Sequence, residues 1–168
     1  MSKKVCTISK EETQALAEEL LKEIGNRVSD SGELRGQTPQ SGVATVVGLR
    51  GDLGAGKTTL AQGIAHALGV TEHVTSPTFI LERIYKLPVS KPNTQHLIPS
   101  TFTHLVHIDA YRLDSADELK HLGWQELLAD PANLILVEWP ERIASAMPVD
   151  TLYVDYKHID EMKREISW

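Results

Sequence analysis

The segment Gly51-Asp52-Leu53-Gly54-Ala55-Gly56-Lys57-Thr58 satisfies G-x-x-x-x-G-K-[ST] at every fixed position. Its three glycines let the backbone curl until successive N–H groups point inward, which makes a concavity suited to phosphate oxygens. A helix that starts at once adds the positive end of its dipole to the same anion. Lys57 then supplies a point charge for the β- and γ-phosphates, and the Thr58 hydroxyl supplies a ligand for magnesium. Asp52 and Leu53 fall at variable positions and contribute backbone rather than side chain. The motif carries this meaning only between a strand and a helix. Both are present: residues 43–49 form a β-branched apolar run, and Leu60, Ile64, Ala65 and Leu68 share one side of a helix over 58–68. Gly69 is placed to end that helix in the left-handed conformation.

Strands and helices alternate from there onward. Short apolar runs at 105–108 and 134–137 read as buried strands, and a strand-like run covers 79–85 after a Ser76-Pro77-Thr78 turn. Ser115 with Glu118 is a capping-box pattern opening a helix that puts Leu119, Leu122 and Leu127 inward and stops near Asp130-Pro131. Before the loop, residues 5–8 read as an edge strand, and Ser9 with Glu12 opens a helix whose stripe is Leu16, Leu20, Ile24 and Val28. Residues 151–156 read as a late strand. Residues 29–42 and 87–103 are rich in Gly, Pro and polar side chains and read as loop insertions, the second of them exposed. The pattern predicts an α/β fold of three layers, with a largely parallel central sheet flanked by helices, in one domain over residues 1–168.

In such sheets ligands sit at the carboxyl ends of the strands. Two predicted strands end there on an acid, Leu105-Val106-His107-Ile108-Asp109 and Leu134-Ile135-Leu136-Val137-Glu138. A phosphate loop needs a carboxylate on a neighbouring strand to hold the metal or its water. One of the two can act on magnesium while the other positions the attacking water. Trp139 reads as half-buried packing at the rim of the same face. His107 faces away from Val106 and Ile108 and reads as a satisfied sheet histidine. Arg83, Arg112 and Arg142 read as solvated or structural. With no internal arginine at the phosphates, such a protein hydrolyses slowly until a partner accelerates it.

Composition narrows the partners. The net charge is −6, and no block of Lys and Arg stands out, which disfavours direct gripping of nucleic acid. The single cysteine, Cys6, reads as a small hydrophobe in the first strand. No apolar run approaches the ~20 residues that span a bilayer, and no signal-peptide pattern opens the chain, so the expectation is a cytoplasmic protein. The Asn-Lys-x-Asp segment that reads guanine is missing from the sequence, which tilts the base toward adenine.

With those residues in hand, the chain resembles the TsaE (YjeE) family, the ATPases of bacterial tRNA threonylcarbamoyladenosine (t6A) synthesis. The resemblance rests on Gly51 through Thr59, Ser76-Pro77-Thr78, His107-Ile108-Asp109-Ala110-Tyr111-Arg112-Leu113, Glu118-Leu119 with Gly123, and Val137-Glu138-Trp139-Pro140, in order over residues 8–156. It implies ATP and Mg²⁺ as cofactors. It implies nucleotide contacts at Asp52, Leu53, Gly54, Ala55, Gly56, Lys57, Thr58, Thr59 and Trp139, with Glu11 near the base. It implies Thr58 and Glu138 as metal ligands, Asp109 as a residue needed for hydrolysis alongside Lys57 and Glu138, and a switch-like loop at Ser76 to Thr78. Family partners are TsaB and TsaD, whose complex is reset by ATP hydrolysis and which meet tRNA; contact with tRNA is then indirect. The loops at 29–42 and 87–103 and the charged segment 157–168 depart from the family pattern. A small-molecule or nucleoside kinase is the alternative, and it would need an acceptor pocket and an arginine-rich lid; residues 87–103 contain no arginine. A nucleotide-dependent binding module with negligible turnover is a third reading.

Overall fold

The computed structural model describes residues 3–33, 42–88, 102–161 and 163–168. In chain order the elements are β1 (Lys4–Thr7), α1 (Lys10–Glu33), β2 (Thr45–Arg50), α2 (Lys57–Ala67), β3 (Glu82–Lys86) and β4 (His104–Asp109), then a 3₁₀ segment (Ala116–Leu122), α3 (Trp124–Ala129), β5 (Asn133–Glu138), a second 3₁₀ segment (Pro140–Ala146), β6 (Leu152–His158) and β7 (Arg164–Ser167). The seven strands form one sheet in the order β1-β7-β6-β2-β5-β4-β3. Its four central strands, β6-β2-β5-β4, run parallel, while β3 at one edge and β7 and β1 at the other pair antiparallel. The expected three-layer α/β architecture is present, with a parallel centre and antiparallel margins.

Alternation along the strands sorts the core into two layers. Val47 and Leu49 of β2, Leu105 of β4, and Leu134 and Leu136 of β5 pack with α1 and α2, through Leu16, Leu20, Ile24, Leu60 and Ile64. The intervening Val46, Val106, Ile108, Ile135 and Val137 pack on the other face with Leu119, Trp124 and Ile143. Because side chains alternate across a strand, His107 and Asp109 fall on the Leu105 face and Glu138 on the Leu136 face. All three therefore look toward α2, whose first turn carries Lys57 and Thr58. The register aligns Asp109 directly with Glu138 at the carboxyl ends of β4 and β5.

Several expectations are corrected. Helix α1 continues through residue 33, so residues 29–33 are helical rather than loop; the remainder of that segment, 34–41, lies outside the described residues. Of the second insertion, 89–101 likewise lies outside them. Its flanks are partly buried: Leu87 and Phe102 are buried while Thr103 is exposed, and the Leu87 N–H donates to the Thr103 carbonyl at 2.8 Å. The run 79–85 is strand only from Glu82, because the chain turns after Pro77 and Leu81 takes a positive φ of 66°. The helix opened by Ser115 has its capping box, but it is a 3₁₀ turn broken by left-handed Gly123 before α3 begins. The charged C-terminal segment contains strand β7, which bridges β6 to β1. Cys6 does lie in β1 but is exposed, so it is not a core hydrophobe. No helix among the described residues is long and apolar enough to cross a membrane.

Gly63 fixes how closely α2 approaches α1. A Cβ there would stand 2.7 Å from the Gln14 carbonyl oxygen, 2.9 Å from the Gln14 Cα and 3.2 Å from the Ala17 Cβ. Glycine to alanine inside an unobstructed helix stabilises by ~0.5–1 kcal/mol. Backbone atoms cannot swing aside here, so the sign reverses. We expect Gly63→Ala to cost about 1–3 kcal/mol and to lower the melting temperature; a melting temperature equal to or above that of the wild type would refute this packing.

Candidate nucleotide-binding site

The path from β2 to α2 depends on backbone freedom at three glycines. Gly51 has φ 146°, and a Cβ on it would meet the Tyr156 Cβ at 2.7 Å. Gly54 and Gly56 have φ 75° and 103°, which only glycine adopts without strain. Gly56 is the N-cap of α2, and Lys57 and Thr58 form the helix's first turn. The first-turn N–H groups of α2 thus face the mouth of the loop, where an anion would satisfy them.

The Lys57 side chain is 4% exposed and lies back along its own loop. Its ammonium donates to the Gly51 carbonyl at 2.6 Å and to the Asp52 carbonyl at 2.8 Å, and sits 3.8 Å from the centre of the Trp139 ring. Burial pulls its pKa below the usual lysine value, and the charges of Glu138, Glu141, Asp109 and Asp52 oppose that pull. These contacts keep the cation satisfied at a place from which a phosphate can take it.

Thr58 and Glu138 meet directly. The Thr58 hydroxyl reaches both Glu138 carboxylate oxygens, at 2.9 and 3.0 Å. His107 Nε2 lies 2.8 Å from Glu138 Oε1, and both side chains are buried. Asp109, on the adjacent strand, is engaged with the Ser76-Pro77-Thr78 turn. Its Oδ2 accepts from the Ser76 hydroxyl at 2.7 Å and from the Thr78 hydroxyl, and its Oδ1 accepts from the Tyr111 N–H at 2.9 Å. The two hydroxyls also lie 2.7 Å from each other.

Trp139 follows Glu138 at a sharp bend. Its φ of 59° is left-handed for a bulky residue, and its N–H donates to the Leu49 carbonyl at 3.2 Å. The bend lays the half-buried indole over Lys57. Tyr111 stacks against it at 5.0 Å with a tilt of 50°, and the Arg142 guanidinium stands 5.7 Å from the Tyr111 ring. Packing is therefore part of what Trp139 does, but the surface it packs on is the phosphate-loop lysine.

These residues line a cavity of about 340 Å³. Of the residues expected at the site, Leu53, Gly54, Ala55, Gly56, Lys57, Thr58, Thr59, Asp109, Glu138 and Trp139 all line it, together with Ser76, Thr78 and Tyr111. Asp52 does not line it, but its carbonyl holds Lys57. Glu11 does not line this cavity; it is exposed in the first turn of α1 and lines a separate, larger groove between α1, the far half of α2 and residues 69–74. That groove has no phosphate loop. None of Arg83, Arg112 and Arg142 lines the cavity; Arg83 lies 3.9 Å from Glu72, and Arg112 covers the Phe79 ring at 4.6 Å. The reading of His107 as a satisfied sheet histidine is half right. One nitrogen is bonded to Glu138 and the other, Nδ1, has no hydrogen-bond partner among the described residues.

The oxygen donors of Thr58 and Glu138 suit a hard cation. Magnesium takes few protein ligands and fills the rest of its octahedron with phosphate oxygens and water. A hydroxyl and a carboxylate already in contact beside an anion-binding loop match that demand.

Comparison with known proteins agrees with this geometry. Residues 7–166 match the family model described as threonylcarbamoyl adenosine biosynthesis protein TsaE. A TsaE protein of Treponema pallidum is 34% identical over 123 residues, covering 73% of this chain and 80% of the relative. A TsaE protein of Bacillus subtilis is 36% identical over 123 residues, covering 73% of this chain and 68% of the relative. The crystal structure of Bacillus subtilis YdiB superposes with a TM-score of 0.66 at 27% identity, covering 99% of this chain and 84% of that one. The chain belongs to the TsaE family.

Proposed function

We propose that this chain binds ATP with Mg²⁺ and hydrolyses it as the nucleotide-driven component of tRNA t6A synthesis, resetting a TsaB–TsaD complex in the cytoplasm. The observation that carries the proposal is the convergence of Lys57, Thr58 and Glu138 at the start of α2, with Asp109 on the next strand. The names of the relatives support the pathway.

In this reading the loop N–H groups and the N-terminus of α2 bind the phosphates, and Lys57 transfers its ammonium from the Gly51 and Asp52 carbonyls to them. Thr58 and Glu138 hold the magnesium, which when bound neutralises charge on the phosphate oxygens. Asp109 holds the Ser76-Pro77-Thr78 turn by two hydroxyls, so the turn stays against the cavity where a terminal phosphate or its attacking water would lie. Asp109 is then a positioning residue for the switch-like loop, whatever proton it also handles.

A partner completes the site. With none of the three arginines discussed above lining the cavity, transition-state charge calls for a cation supplied from outside. Leu53 and Phe79 are 75% and 85% exposed beside the mouth, and Tyr111 is exposed as well. An apolar rim of this kind suits a protein partner better than the backbone of a nucleic acid.

Three outcomes test the proposal. Lys57→Ala is expected to weaken ATP binding at least about tenfold to a hundredfold, the worth of one charge-assisted contact; binding equal to wild type by titration calorimetry refutes the phosphate site. Glu138→Ala is expected to depress magnesium-dependent phosphate release far more than nucleotide affinity; equal turnover removes Glu138 from the metal. Asp109→Ala is expected to lower turnover about tenfold or more with ATP affinity nearly unchanged, measured in the presence of TsaB and TsaD. Phosphate release stimulated by those two proteins supports the reading, whereas turnover that requires an added nucleoside acceptor would instead identify a kinase.

A further inference from the structure

We propose that His107 is a positioning residue for the metal shell: its Nε2–H holds the Glu138 carboxylate in the orientation that Thr58 and a divalent cation require. The inference rests on the nucleotide reading given above.

Glu138 is 3% exposed and His107 1%. A carboxylate this deeply buried needs donors on its oxygens, because an unmet one costs about 1–3 kcal/mol or more. It has two: the Thr58 hydroxyl, and His107 Nε2 at 2.8 Å from Oε1. A carboxylate oxygen accepts, so in this contact Nε2 is the donor. Nδ1 has no hydrogen-bond partner among the described residues. Among the described residues, the bond to Glu138 is thus the imidazole's one hydrogen bond.

The main chain under the ring is held on both sides, and the side chain is buried. His107 lies within β4, whose neighbours β3 and β5 pair on both sides. Thr58 and Glu138 would hold a magnesium ion together, the hydroxyl through an oxygen lone pair; the Thr58 proton could then turn, whereas His107 would stay as the donor fixed on Oε1 of the carboxylate. Partners of this outer-shell kind commonly change metal affinity 10–100-fold when removed.

The test compares His107→Leu, which removes the donor, with His107→Gln, whose amide nitrogen can occupy the place of Nε2. Binding of a fluorescent mant-ATP is titrated without metal in EDTA and then against MgCl₂, with thermal melting confirming the fold of each variant. We expect His107→Leu to bind mant-ATP in EDTA as the wild type does but to need about 10–100-fold more Mg²⁺ for the metal-dependent gain. His107→Gln should recover most of that loss. Adding His107→Leu to Glu138→Gln should change little further, since the histidine acts through the carboxylate. If the leucine variant does not fold, His107→Met serves as the donor-less variant, because its flexible chain fills irregular space. A folded donor-less variant with wild-type Mg²⁺ dependence, a glutamine variant no better than it, or additive losses in the double variant would each overturn the proposal. Mg²⁺-independent binding by the wild type would overturn the metal site itself, and this inference with it.

Discussion

A buried carboxylate organises this molecule. Glu138 sits at the carboxyl end of β5 with almost no exposure, and its two oxygens are met by side chains from two other elements, Thr58 of α2 and His107 of β4. Burying that charge is tolerable only because donors arrive at both oxygens. They arrive because β5 lies between β2, which feeds the phosphate loop, and β4. The strand order, the turn of three glycines and the first turn of α2 are therefore conditions for one another. The same contacts leave a hydroxyl and a carboxylate together beside the loop, which is what a magnesium nucleotide requires.

The second organising contact is the Lys57 cation. It is nearly as buried as Glu138, and without a phosphate its hydrogen bonds go to two loop carbonyls while its face rests on Trp139. The left-handed bend at Trp139 carries a cost of order 1–3 kcal/mol for a non-glycine residue. The structure retains it, and the result is an indole over the phosphate-loop lysine, with Tyr111 stacked behind it. The loop is thus preorganised around a place for its own lysine, and in the proposed function a phosphate would exchange one set of acceptors for a better one. Asp109 does for the Ser76-Pro77-Thr78 turn what the carbonyls do for Lys57, holding it by hydroxyls that a phosphate could claim.

Much of this was legible in the sequence. The phosphate loop was fixed by glycine spacing between a β-branched run and an apolar-striped helix. Short apolar runs that end on an acid placed Asp109 and Glu138 at strand ends, where the register brings them side by side. What was not legible had local causes. Strand β7 is half charged: it is four residues long, paired between β1 and β6, and only Ile166 in it is fully buried, so it offers no apolar run to read. The end of α1 contains Ser29, Asp30, Ser31 and Gly32, poor helix formers that the rest of the helix carries along. Gly123 breaks a helix whose capping signal and apolar spacing suggested one piece. Alternation gave the face of His107 but not its partner, which lies 31 residues away on the neighbouring strand. Glu11 rested on resemblance alone, and the fold places it on another groove.

Family membership sets the context, and the proposed chemistry rests on four side chains: Lys57, Thr58, Asp109 and Glu138. The most direct test is a crystal structure of this protein with magnesium and a non-hydrolysable ATP analogue. The expected result has the Lys57 ammonium moved off the Gly51 and Asp52 carbonyls and the Trp139 ring onto the phosphates, with the metal on Thr58 and Glu138. A nucleotide bound in the α1–α2 groove, or a Lys57 still on its own loop carbonyls with phosphate present, would contradict it.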